Sequence, residues 1–168
     1  MTIRRERPLA ALALGFALTA AILATNATAA SGPRLSARIN GHALRASGTR
    51  LQVVSFPTLF EVTASTKNVR NNHAAAFACV AFDLASMPLP TTLTQCNGNY
   101  QETKIGRRGA SVKAWSTAAG IQVTIESFDG SHVTGTFGGA FEFSAEGRRP
   151  ATIQKGKFDA VVTTIGGA

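Results

Sequence analysis

The chain has 168 residues, 17 Lys and Arg against 9 Asp and Glu, a formal net charge of +8, and 45% hydrophobic residues. That length suits a leader followed by one domain with its own core. The positive balance favours anionic partners such as envelope phosphates or acidic polysaccharides, and the scarcity of aromatic platforms, with one Tyr and one Trp, argues against nucleic acid.

Taken in chain order, the first thirty residues read as a cleaved signal peptide. "MTIRRERP" is a basic start, Leu9 to Ala24 is an apolar run, and "TNATAA" ends in the small residues that suit a signal peptidase near Ala29 or Ala30. The run of sixteen residues is shorter than the roughly 20 that cross a bilayer, and no cysteine closes it to carry a lipid. Residues 31–168 are then one domain without a membrane span, expected in the periplasm or the medium. Loss of three Arg and one Glu with the leader leaves 14 basic and 8 acidic residues, a net of +6.

Beyond the leader, side chains alternate with period two in short blocks separated by Gly, Pro, Asn and Asp. "SARIN" and "HALRAS" flank Asn40-Gly41, a dipeptide that tolerates the positive φ of a tight hairpin. "RLQVVSF" ends near Pro57, and "LFEVTAST" places Phe60, Val62 and Ala64 on one face. "AAFACVAFDL" is apolar almost throughout; Val80 and Phe82 favour a strand over a short buried helix, and "SMPLP" ends it. "NYQETKI" and "SVKAWSTA" bracket the basic turn "GRRG", and "GIQVTIESF" points Ile121, Val123 and Ile125 inward before the hairpin signal Asp129-Gly130. "HVTGTFGGAFEFSA" follows, with Val133, Gly135, Phe137, Gly139, Phe141, Phe143 and Ala145 on the core side. At about 3.3 Å per residue it is too long to run straight through so small a domain, so it must bend or bulge at its glycines. The gaps at Gly135 and Gly139 call for a ring from a facing sheet, with Trp115 as the candidate, or for an apolar ligand in a barrel mouth; side chains normally fill small barrels, which favours the ring. "ATIQKGKFDAVVTTI" closes the domain with Phe158, Ala160 and Val162 in phase, and "TTIGGA" is expected to fray. About ten such blocks predict an all-β fold, an antiparallel β-sandwich or flattened barrel.

Cys79 and Cys96 are the two cysteines, seventeen positions apart. In an exported chain they read as one disulfide; a metal would want more ligands, and a redox pair closer spacing. Signatures of catalysis are missing: there is no Gly-x-Ser-x-Gly elbow, no His-Glu-x-x-His, no Walker loop and no dinucleotide fingerprint. His42, His73 and His132 are far apart, so no metal or cofactor is expected. Asp129, Ser131 and His132 share one turn, where such residues bond their own backbone. Arg107-Arg108 and Arg148-Arg149 sit beside glycines in turns, and Lys155 and Lys157 flank Gly156. Gathered at one end of the fold they would form an anion-binding rim, with Arg forking onto carboxylate or phosphate.

"GNYQETK", "GIQVTIESFDGSHVTGTFGGAFEFSA" and "ATIQKGKFDAVV" together resemble a family of bacterial exported β-sandwich proteins and lipoproteins of unknown function, and "ARINGHALRA" resembles its opening strand pair. The resemblance implies an exported β-domain and brings no catalytic residue with it. The expectation is therefore a non-catalytic binding or envelope-associated module with a basic surface; the alternative is a small periplasmic hydrolase built on scattered Ser, His and Asp.

Overall fold

The computed structural model describes residues 32–81, 83–144 and 146–165. The leader assigned to residues 1–30 lies outside the described residues, as do Phe82, Ala145 and the last three positions of "TTIGGA". Alternation becomes nine strands: β1 (Arg34–Ile39), β2 (His42–Ser47), β3 (Leu51–Phe56), β4 (Leu59–Ser65), β5 (Asn71–Val80), β6 (Thr91–Gly106), β7 (Gly109–Phe128), β8 (His132–Phe141) and β9 (Ala151–Thr164). A single 3₁₀ turn, Gly48–Arg50, is the helical structure among the described residues, and no helix there is long and apolar enough to cross a membrane.

All nine strands belong to one sheet, in the order β2-β1-β9-β3-β4-β5-β6-β7-β8, and β8 pairs back onto β9. Seven strands, β3 to β9, thus close into a barrel, the arrangement that leaves a sheet with the fewest raw edges. Of the two architectures expected, sandwich or flattened barrel, the barrel is the one formed, and all strands among the described residues belong to one sheet. The all-antiparallel expectation is corrected, because β9 forks. Its first part takes β1 antiparallel, with Ile39 opposite Ile153 and Leu35 opposite Phe158. Its end takes β3 in parallel, with Val53 opposite Val162. The β1–β2 hairpin leaves the ring at that fork. Its turn, with Asn40 at φ 50° and Gly41 at φ 81°, uses the positive backbone angles that the dipeptide permits.

The interior is filled by the predicted faces. Phe60, Val62 and Ala64 of β4, Ile121, Val123 and Ile125 of β7, and Phe158, Ala160 and Val162 of β9 are all buried, together with Leu35, Ile39 and Leu44 of the hairpin. Nine strands stand where ten blocks were read, since "SVKAWSTA" and "GIQVTIESF" are one continuous β7.

The gap at Gly135 is filled by a ring of β9 and that at Gly139 by the β7 backbone at Gly120, and these replace Trp115 as the candidate. Gly135 lies opposite Phe158 and Phe137 lies opposite Gly156, so ring and glycine alternate across the β8–β9 ladder. A Cβ on Gly135 would sit 2.5 Å from Phe158 Cζ, and one on Gly156 2.8 Å from Phe137 Cγ. Trp115 instead stacks on Tyr100 at 5.5 Å between ring centroids. The bend falls at Gly139, where φ is +113° and the β8–β9 register shifts. Beyond it Phe141 keeps the expected parity and is fully buried, but Phe143 is 62% exposed, because β8 has ended and Phe143 is held only by a backbone bridge to Ser116.

Cys79 and Cys96 form the expected disulfide, and they are exact cross-strand partners in the β5–β6 register. Such a bond fits an oxidising, extracellular-type setting.

Candidate functional site

Period two on β5 carries His73 inward in phase with Ala75, Phe77 and Cys79, and on β6 it carries Glu102 inward in phase with Tyr100. The register sets His73 directly opposite Glu102, and Ala75 opposite Tyr100. His73, Tyr100 and Glu102 are each no more than 5% exposed, so three polar groups share the barrel end with apolar neighbours. A buried polar group must find partners, and these find one another. The Tyr100 hydroxyl donates to Glu102 Oε1 at 3.3 Å, and His73 Nδ1 lies 2.9 Å from the same hydroxyl. With that hydroxyl proton committed to Glu102, His73 must donate from Nδ1, which leaves Nε2 as an acceptor.

The β1–β2 hairpin supplies the fourth member. His42 stacks on His73 with ring centroids 4.8 Å apart, and its Nε2 is 3.8 Å from Glu102 Oε1. Tyr100 is wedged between Trp115 and Phe141, which fixes its ring. Burial raises the Tyr100 pKa above its ordinary value, helped by the charge and the hydrogen bond of Glu102. The His73 pKa is lowered from 6.5, first by burial and then by His42; Glu102 opposes the shift and Lys104 adds to it. The folded protein therefore resists a proton on His73 that the unfolded chain accepts near pH 6.5. The stability contribution is complete above that pH and is lost as pH falls below it. Urea midpoints measured between pH 7.5 and 5 are expected to decline, and His73→Gln is expected to remove the part of the decline that follows histidine titration.

Outside this cluster lies an open groove of about 480 Å³, lined by His42, Arg45, Thr66, Lys67, Asn68, Asn71 and His73. The β4–β5 loop that forms one wall is shaped by its own side chains. Asn68 Oδ1 accepts from the Arg70 and Asn71 amides, and Thr66 Oγ1 accepts from the His73 amide. Arg45 and Lys67 are its cations, and the amides of Asn68 and Asn71 add neutral hydrogen-bonding groups. Such a lining can hold an anion by charge and orient it by hydrogen bonds.

The sequence-predicted basic residues divide between three places. Arg107 and Arg108 cap the β6–β7 hairpin, three and four positions beyond Lys104, which pairs with Asn71 of the groove wall. The Arg70 carbonyl accepts from the Ile105 amide at 2.8 Å, which ties the groove loop to that hairpin. The pair itself lines a separate pocket, which it shares with Lys104 and Ser111. Arg148 and Arg149 lie in the β8–β9 loop on the other flank of β7. Arg148 pairs with Glu146, and the Arg149 carbonyl accepts from Trp115 Nε1 at 3.0 Å. Seven positions of extended strand separate Trp115 from Arg108, about 23 Å at about 3.3 Å per residue. Lys155 and Lys157 belong to β9 itself. Lys157 lines a different groove, which it shares with Arg34, Glu126 and Asp159, so carboxylates meet its charge there. A single rim of all six residues is not formed.

The turn residues behave as turn residues. Asp129 Oδ1 accepts from the Ser131 and His132 amides at 3.0 and 2.7 Å, and these bonds lower its pKa. Ser131 Oγ also donates to Asp129, while His132 Nε2 faces Asp159 Oδ1 at 2.8 Å. The hydroxyl and the imidazole thus serve different carboxylates, and no nucleophile is aligned by this histidine.

The His42, His73, Tyr100 and Glu102 cluster escaped the reading by motif. Its signal was parity: Glu102 lies two residues from Tyr100, and His73 lies an even number of positions from Cys79. Comparison of the chain with family models, curated proteins and solved structures finds no match.

Proposed function

We propose that this is an exported, non-catalytic binding module that takes anionic polymers of a cell envelope at the barrel end carrying the His42–His73 groove. The observation that carries the reading is that groove, which Arg45 and Lys67 line with Asn68 and Asn71. The net charge of +6 over residues 31–168 steers the same class of ligand toward the protein. The buried Glu102 does not line this groove, so its negative charge is set back behind the imidazoles. Phosphorylated or carboxylated saccharide units fit this lining, with Arg and Lys on the acid group and the amides on neighbouring hydroxyls.

The test uses polygalacturonate and inorganic polyphosphate as carboxylate and phosphate probes, titrated by calorimetry at two salt concentrations. Binding is expected to weaken as salt rises. The double reversal Arg45→Glu with Lys67→Glu is expected to cost at least about tenfold in affinity, about 1.4 kcal/mol, while the thermal midpoint stays near wild type. Undiminished binding by the double variant would overturn the groove assignment, and salt-independent binding would overturn the electrostatic one.

A further inference from the structure

Among the described residues, β2 pairs only with β1 at the outer edge of the sheet, and part of β7 within the ring is likewise left without a neighbour on one side. β7 pairs with β6 down to Gly106 opposite Gly109, but with β8 only as far as Ile121 opposite Gly139. Past that point the bridge at Ser116 is its last backbone pairing on the β8 side, and the Trp115 side chain alone reaches further, to the Arg149 carbonyl. Ser116 gives both its amide and its carbonyl to Phe143, at 2.7 and 2.8 Å. Backbone groups of an antiparallel strand alternate in direction, so those of Ala114, Val112 and Ala110 also point away from β6. These amides and carbonyls have no backbone partner on that side among the described residues. Ala110, Val112 and Ala114 are exposed, as are the Gly109 and Ser111 positions between them.

Natural sheets blunt such an edge with proline, a bulge, a cover or a charged side chain, and of these "GASVKA" carries only the charge of Lys113. The side chains around it select a partner. Opposite-strand pairing places Val112 and Ala110 on the same face as Thr103 and Ile105, and Phe143 joins that face through Ser116. Val112 and Ile105 are each 48% exposed and Phe143 is 62% exposed, giving an apolar strip beside the open backbone. Cations gather at the hairpin: Lys104, Arg107, Arg108 and Lys113 lie between Thr103 and Ile125 with no carboxylate among them, and the flanking acids are Glu102, opposite Lys113, and Glu142, beside Phe143.

We propose that the open edge of β7 between Gly109 and Trp115 docks an acidic, extended polypeptide segment, which adds to the sheet as a further strand. Main-chain bonds to Ala110, Val112 and Ala114 supply the affinity, and alternate apolar side chains lie against Val112, Ile105 and Phe143. Carboxylates at the end nearest Gly109 meet Arg107 and Arg108. A second copy of this chain is disfavoured as occupant because each hairpin would bring the same four cations to the other. This surface is separate from the groove lined by Arg45 and Lys67, so either reading can fail alone.

The geometry provides a selective variant. The Val112 amide points outward, so Val112→Pro removes the central docking donor without breaking a bond to β6, a position where a strand tolerates proline. The probe is a fluorescein-labelled octapeptide of alternating Thr and Val closed by two Asp residues, read by anisotropy against the secreted chain. Val112→Pro and a peptide closed by two Lys residues are each expected to lose at least about tenfold in affinity. Equal binding by either, or no binding of the acidic peptide to the wild type, overturns the proposal. Sedimentation showing a dimer that Val112→Pro abolishes overturns it in favour of a second copy. Should the proline variant not fold, hydrogen exchange on the wild type decides: saturating peptide must slow the Ala110, Val112 and Ala114 amides, and unchanged exchange overturns the docking.

Discussion

Replacing both Cys79 and Cys96 with alanine is expected to lower the unfolding free energy by about 3 kcal/mol and the thermal midpoint by roughly 10 °C. The bridge spans a separation of 17 residues, so its removal restores to the unfolded chain the freedom of that loop. Both cysteines are fully buried among the core residues, so the vacated sulfur volume adds to the loss. The position matters as much as the loop. The bond ties β5 to β6 beside the point where the β6–β7 register shifts, between Leu93 and Gly98. Thermal scans of the wild type with and without reductant, alongside the double variant, measure the effect. A midpoint that stays put in both would show that the strand ladder alone holds this junction.

A second large effect is expected at the alternating rings of β8 and β9. A Cβ at Gly135 would collide with the Thr124 carbonyl oxygen and with the Phe158 ring, so Gly135→Ala is expected to cost about 1–3 kcal/mol by overpacking. Phe158→Ala removes a ring that is 2% exposed and is expected to cost about 3–5 kcal/mol. Because the two residues face each other, their combination is expected to cost less than the sum, with a coupling of about 1 kcal/mol. The coupling stays incomplete, since the Thr124 carbonyl still crowds the new methyl group. Denaturant unfolding of the four proteins in the cycle provides the measurement, and strict additivity would show that the ring does not occupy the glycine gap.

Much of this was legible in particular residues. Asn40-Gly41 and Asp129-Gly130 marked their hairpins because few other dipeptides accept the backbone angles required. The parity of Phe60, Val62 and Ala64, and of Ile121, Val123 and Ile125, marked their inward faces because a strand offers only two sides. Cys79 and Cys96 found each other as the sole pair available. The glycines of β8 were correctly read as gaps, but their filling was assigned to Trp115. Alternation tells which face a ring is on, not which strand lies alongside.

The candidate site shows the same division. His73 and Glu102 could each be placed on an inward face from their own strands, yet nothing local to either indicates that the β5–β6 register sets them opposite one another. His42 is further removed still, coming from a hairpin that joins the barrel only through β9. Likewise, six basic residues were visible as three pairs, but the ring closure decided that Arg107 and Arg108 line a pocket at the β6–β7 hairpin while Arg148, Arg149, Lys155 and Lys157 go elsewhere.

The sequence by itself determined the all-β character, the turns, most of the core faces and the disulfide, because these follow from the conformational limits of short segments and from the count of cysteines. Only the tertiary structure decided the barrel closure, the parallel joint of β3 with β9, the buried His42, His73, Tyr100 and Glu102 cluster and the open edge of β7. Those features depend on which strands become neighbours and in what register, a choice made by the packing of the whole core rather than by any single stretch of chain.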